Sequence, residues 1–211
     1  MYQRLSSRSL ILTDFSILED GIDQSREMIE VRRTIFFSLL TGREVSIDDL
    51  VVDFGEEVIP RIEELVDGGL AILDEEHATI VGAEGVSLEE TSHRLSIGGT
   101  DLYTWCAFDI VGIPSALKVD AHGVTNCPTC GRELRFSSQA GVFDGLASDG
   151  ELVGFWPNSQ GPVVENFCPS ALIYCSIEHL KIHKGEIFEG SALPIDDLAR
   201  RGEVTWRIFC N

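Results

Sequence analysis

The sequence predicts an α+β protein, with a winged-helix-like N-terminal part packed on a small mixed or antiparallel β-sheet domain with flanking helices. Three observations predict it. Apolar residues recur at helical spacing between residues 27 and 67. Beyond them, short β-type runs alternate with glycine-rich turns. All six cysteines, at 106, 127, 130, 168, 175 and 210, fall in the second half, so the candidate chemistry is separated from the helical part.

Residues 1–23 are polar and follow no clear period. From about 27 to 40, Met28, Val31, Ile35, Phe36 and Leu39 recur three and four apart, which predicts a helix stopped by Thr41-Gly42. Ser46 suits the N-cap of a short helix through Asp48-Asp49-Leu50-Val51. A third helix is expected over 57–67, with Ile59, Ile62, Leu65 and Val66 on one face. Pro60 fits its first turn, and Gly68-Gly69 ends it. Strands at 70–73 and 79–81 follow, joined by the acidic turn Asp74-Glu75-Glu76. Two short helices followed by a hairpin suggest a winged helix-turn-helix.

Residues 93–97 read as a strand turned by Gly98-Gly99. Thr100 suits the cap of a helix over 101–111, ending before Pro114 and carrying Cys106 and Asp109. Short strands are expected at 134–136, 152–156 and 171–175. Ser176 then caps a helix through His179 and His183, residues 195–201 form another helix, and 206–209 a last strand.

The 211 residues suffice for one sizeable core, or for two small domains that share one. An apolar fraction of 44% and a charged fraction of 24% are ordinary for a globular chain. No apolar run reaches the roughly 18–20 residues of a membrane span, and residues 1–8 lead into no signal-type stretch. A soluble, cytoplasmic protein without a membrane partner is the expectation. The net charge of −19 is uneven: residues 1–100 carry 8 Arg and no Lys against 21 acids. The third predicted helix bears Glu56, Glu57, Glu63, Glu64 and Asp67 against Arg61. Such a surface repels phosphate backbones, so nucleic acid is not an expected partner and the winged helix is read as structural.

Cys106 and Asp109 stand three apart, a spacing that puts a thiol and a carboxylate on one helix face. A buried, inert cysteine is the competing reading of Cys106, and a hydrogen-bonded structural acid that of Asp109. A carboxylate beside Phe108, Ile110 and Val111 is costly to bury without a partner. Cys168 follows much later in Glu165-Asn166-Phe167-Cys168. Two thiols and one acid can hold a soft metal and deliver a proton beside it.

Cys127-Pro128-Thr129-Cys130-Gly131 has the form of a zinc-knuckle turn. Closing such a site needs two further ligands, for which Cys168 with Cys175, or His179 with His183, are candidates. Two ordinary turn cysteines are the competing reading, and His179 and His183 read first as surface histidines. No phosphate-binding glycine loop of Walker or dinucleotide type is present, so a nucleotide cofactor is not indicated.

On these residues the chain resembles the organomercurial (alkylmercury) lyases. The likeness covers about residues 25–200 and is strongest from Glu90-Thr91-Ser92-His93 through Tyr103-Thr104-Trp105-Cys106-Ala107-Phe108-Asp109 to Pro114, Ala116 and Leu117, with Asn166-Phe167-Cys168 further on. The resemblance implies an N-terminal extension over 1–24, a winged-helix-like domain over 25–85 and a lyase-type catalytic domain over 86–211. It implies Cys106 and Cys168 as catalytic thiols that hold mercury, Asp109 as the acid between them, and Cys127 as a buried structural cysteine. Pro169 and the added Cys130 depart from the family pattern, and Cys130 would divert Cys127 into a possible zinc site.

The activity so implied is protonolysis of a carbon–mercury bond, giving a hydrocarbon and Hg(II) held by two thiolates. No cofactor is required for it; Hg(II) is the bound product, and structural zinc is the one other metal expected. The implied partners are organomercurial substrates, with small thiols or a mercuric reductase as mercury acceptor. A non-enzymatic protein of the same fold that binds or senses a soft metal or zinc is the rival reading.

Overall fold

The computed structural model describes residue 23, residues 25–143 and residues 152–210, so the extension expected over 1–24 lies, residue 23 apart, outside the described residues. Helix α1 (Arg26–Leu40) starts where Ser25 accepts the Met28 N–H. It buries the predicted stripe of Met28, Val31, Ile35, Phe36 and Leu39. Arg32 lies on the same stripe and is equally buried. Strand β1 (Val45–Ser46) leads into α2 (Ile47–Phe54), capped by Ser46 as expected. Helix α3 (Val58–Asp67) has Pro60 in its first turn and buries Val58, Ile62 and Leu65. Ile59, expected on the inner face, points outward, because Val58 takes the position one turn before Ile62.

The hairpin β2 (Ala71–Leu73) and β3 (Thr79–Ala83) follows, then β4 (Val86–Ser87), β5 (Arg94–Ile97), β6 (Thr100–Thr104) and helix α4 (Ala107–Leu117). The second half continues with β7 (Ala121–Asn126), β8 (Glu133–Gln139), β9 (Val142–Phe143), β10 (Val153–Pro157), β11 (Ile173–Tyr174), α5 (Ile177–Lys184), β12 (Gly190–Pro194) and α6 (Ile195–Thr205). Among the described residues, nine strands form one antiparallel sheet in the order β1-β3-β4-β6-β5-β7-β8-β9, with β2 on β3. A separate three-stranded antiparallel sheet runs β11-β10-β12.

Helix α4 is buried along almost its whole length, so it occupies the centre of the core. It crosses α6 where Gly112 meets Gly202: a Cβ on Gly202 would lie 2.1 Å from the Gly112 Cα. The indole of Trp206, at the end of α6, lies against the Phe108 ring of α4 with centroids 5.1 Å apart.

Two element assignments also fail. The helix predicted over 101–111 is instead strand β6 followed by α4, with Pro114 inside the helix. Thr100, Leu102 and Thr104 alternate with Asp101 and Tyr103, and that two-residue period pairs them with β5 across the Gly98-Gly99 turn. An interior proline typically costs a helix about 3 kcal/mol; burial of α4 on all sides offsets it. The strand expected over 206–209 is a 3₁₀ turn, Arg207–Phe209, whose Phe209 ring stacks on Phe36 at 4.7 Å.

Candidate active site

Cys106 sits one residue before α4, with extended backbone (φ −146°, ψ 169°), and is its N-cap. The Asp109 carboxylate accepts the Cys106 N–H at 2.8 Å while the Asp109 N–H points back at the Cys106 sulfur. This is a capping box built from a thiol and an acid. The three-residue spacing therefore does its work across a helix start, not along a helix face. Thr104 Oγ1 donates to the Cys106 carbonyl at 3.0 Å and fixes the turn from β6 into α4.

Cys168 arrives from the other side of the core. A π-helical turn, Val163–Phe167, ends at Cys168, whose N–H donates to the Val163 carbonyl at 3.0 Å. The turn docks on the end of α3, with the N–H groups of Val163 and Val164 donating to the carbonyls of Gly68 and Gly69. Phe167 is wedged edge-on against Trp156 at 4.8 Å and Phe108 at 6.2 Å. Trp156 thus belongs to an aromatic core with Phe108 and Phe167.

The structure brings the three sequence-predicted residues together. The Cys106 thiol lies within hydrogen-bonding reach of both Cys168 and the Asp109 carboxylate. Cys168 and Asp109 line one cavity of about 30 Å³ with Trp105, Phe108, Phe167 and Trp206, room for about one water-sized body. All three residues are at most 4% exposed.

Burial decides the electrostatics. It pushes the Asp109 carboxyl up to about 7, although hydrogen bonds from the Cys106 N–H and thiol pull the other way. Burial thus favours the protonated carboxyl far above the usual carboxylate range. Burial also drives the Cys106 thiol well above its ordinary range, reinforced by Cys168 and by the Asp109 charge. A helix N-terminus favours a thiolate, but here desolvation wins and Cys106 rests as a neutral thiol.

Several lining residues had not been singled out from sequence, among them Arg32, Glu84, Gly85 and Trp206. Arg32 and Glu84 form a buried ion pair, Nε to Oε1 at 2.7 Å and Nη2 to Oε2 at 3.1 Å. The Glu84 carbonyl accepts the Trp206 indole N–H at 2.8 Å. Gly85 (φ +89°) presses against the acid: a Cβ there would stand 2.8 Å from the Asp109 Cγ. A charge at Arg32, four residues from both Met28 and Phe36 on an apolar stripe, is the signal that sequence offered. Nothing comparable marked Trp206.

The remaining candidates gather elsewhere. Cys127 and Cys130 meet Cys175 and His179, one member from each of the two expected ligand pairs. Cys168 is instead held at the cavity, and His183 Nδ1 lies 2.8 Å from the Tyr174 hydroxyl. His179, read first as a surface residue, is half-buried against Cys127. Burial pushes His93 down to about 4, so it stays neutral beside Thr125 Oγ1 at 2.7 Å.

Comparison with known proteins identifies the family. A sequence model of the family described as alkylmercury lyase matches residues 86–203. The alkylmercury lyase of Staphylococcus epidermidis is 23% identical over 171 residues, covering 81% of this chain and 78% of that protein. The one from Pseudomonas putida is 30% identical over 101 residues, 48% of this chain and 47% of the other. The crystal structure of the mercury-bound form of MerB2 superposes with a TM-score of 0.81 at 22% identity, covering 93% of this chain and 97% of that one. Since the family match spans more than half of its length, the chain belongs to the alkylmercury lyase family.

Proposed function

We propose that the chain cleaves the carbon–mercury bond of organomercurials by protonolysis at Cys106, Cys168 and Asp109. The observation that carries this reading is the convergence of two thiols on an acid poised near neutrality inside a buried, largely apolar hollow.

Mercury is soft and prefers sulfur over oxygen. The substrate enters as R–Hg bound to a solution thiol. One of the two cysteines replaces that thiol, and its own proton leaves with the displaced sulfur. The second sulfur then adds to mercury, raises the electron density on the metal and makes the bonded carbon more basic. Its proton passes through Asp109 to that carbon. The Hg–C bond breaks, hydrocarbon R–H departs, and Hg(II) remains on two thiolates. An acid near 7 suits the relay, because it accepts and gives a proton at similar cost. The apolar walls exclude water and keep the thiols protonated until a soft metal displaces the proton. Small thiols or a mercuric reductase are the proposed acceptors of the product.

The order helix, strand, two helices and hairpin over residues 25–85, with β1 paired to β3, supports a winged-helix-like reading of that part and a catalytic part over 86–211. The acidic outer face of α3 supports a structural role for it without nucleic acid. Among the described residues no helix is long and apolar enough to cross a membrane.

Headspace methane from methylmercury with excess thiol tests the proposal. Cys106→Ser and Cys168→Ser are each expected to abolish it while circular dichroism stays unchanged. Asp109→Asn is expected to slow release by about 10²-fold or more while mercury capture persists. Undiminished methane from either serine variant removes that cysteine from the mechanism.

A further inference from the structure

The turn between β7 and β8 carries Cys127 and Cys130, the turn between β11 and α5 carries Cys175, and the first turn of α5 carries His179. The four ligand atoms lie within 4.8 Å of one another. Cys127 Sγ stands 3.5 Å from His179 Nδ1, and Cys130 Sγ stands 3.6 Å from Cys175 Sγ. In a tetrahedral zinc site, bonds of about 2.3 Å to sulfur and 2.0–2.1 Å to nitrogen give edges of about 3.8 Å between sulfurs and about 3.5 Å from sulfur to nitrogen. The two measured edges match those values. A disulfide, at about 2.05 Å between sulfurs, does not describe Cys130 and Cys175.

The surroundings are built as a knuckle. The Cys127 N–H donates to the Arg132 carbonyl and the Gly131 N–H to the Cys127 carbonyl, both at 2.8 Å, which closes the turn. Backbone N–H groups of Cys175, Cys130 and Thr129 point at the Cys127 sulfur. Thr129 Oγ1 donates to the His179 carbonyl at 2.6 Å and ties the β7–β8 turn to α5. None of these four ligands lines the cavity on which Asp109 and Cys168 open.

We propose that Cys127, Cys130, Cys175 and His179 form a four-coordinate zinc site that staples the β7–β8 turn of the large sheet to the end of β11 in the small one and the start of α5. Three thiolates and one imidazole fill a tetrahedron and leave no open position, the mark of a structural and not a catalytic zinc. Binding releases the ligand thiol protons to solvent and involves no redox step. The staple acts seven residues after Cys168, so it also anchors the segment that delivers that thiol to the cavity.

The test is metal analysis of the full chain purified with reductant and without added metal or mercury. One zinc per chain is expected in the wild type and in Cys106→Ser, with near-complete loss in Cys130→Ser and His179→Ala. Cobalt(II) added to the chelator-stripped wild-type chain provides a readout independent of how the variants fold. It is expected to give the intense thiolate-to-cobalt and tetrahedral ligand-field bands at one equivalent. Three results overturn the proposal: no zinc together with no tetrahedral cobalt spectrum; zinc lost in Cys106→Ser but kept in Cys130→Ser; or a Cys130–Cys175 disulfide in metal-free protein.

Discussion

Asp109 is charged at a cost. Burial pushes its carboxyl up to about 7 in the folded chain, against about 3.9 in an unfolded chain. Between those values the folded protein holds a proton that the unfolded chain has lost. Asp109 therefore favours folding most below about pH 4, and that advantage is lost as pH rises through 7, an effect of about 4 kcal/mol at most. Denaturant unfolding at pH 5 and pH 8 checks this: the decline in stability should be about 2–3 kcal/mol smaller in Asp109→Asn. An equal decline in both proteins would mean that the carboxyl is solvated. Gly85 gives a second test. Gly85→Ala places a methyl 2.8 Å from the Asp109 Cγ, whereas Gly98, also at positive φ, faces open space. Both alanines should cost about 1–2 kcal/mol through backbone strain, but only Gly85→Ala should also cut methane release. Cys106, Asp109 and Cys168 were legible because their residue types carry the chemistry. Gly85 and Trp206 were not, since their roles arise from a close approach between segments that lie far apart in the chain.

Helix α4 links the site to the core. Its start presents Cys106 and Asp109, and its middle is pressed onto α6 through Gly112 and Gly202. A Cβ on Gly112 would lie 2.4 Å from the Trp206 ring. Gly112→Ala and Gly202→Ala should each destabilise by at least about 1–3 kcal/mol through overpacking, read as a lower denaturation midpoint; an unchanged midpoint would show that the helices separate freely. Amphipathic elements were the easy ones to read. The α1 stripe of Met28, Val31, Ile35, Phe36 and Leu39 stands out at a period near 3.6. Helix α4 has no polar face to mark its register, and the alternating run Thr100–Thr104 before it was read as helix for want of a view of its partner β5. The two-residue β11 and the π-helical turn are set by tertiary contacts that carry no local pattern.

Across the molecule, the cavity is closed by groups from both halves: Arg32 from α1, Glu84 and Gly85 from the β3–β4 turn, and Trp206 after α6. The buried Arg32–Glu84 pair ties α1 to the β3–β4 turn, and the Trp206 indole N–H on the Glu84 carbonyl links that turn to the second half. Glu84→Gln should cost about 3–5 kcal/mol, seen as a lower unfolding free energy, because the guanidinium then stays buried without its counter-charge; a near-neutral result would indicate that Arg32 reaches water. Fold class and the separation of chemistry into the second half were legible in composition and cysteine placement. The grouping of Cys175 with His179, in place of either sequence-adjacent pairing, required the fold to be known.

Protonolysis at this site leaves mercury between two particular sulfurs beside one acid. A crystal structure of the chain after turnover of methylmercury reads that end state. Hg(II) is expected on the Sγ atoms of both Cys106 and Cys168 next to Asp109. An active protein whose mercury sits only among Cys127, Cys130, Cys175 and His179, with the cavity empty, would contradict it.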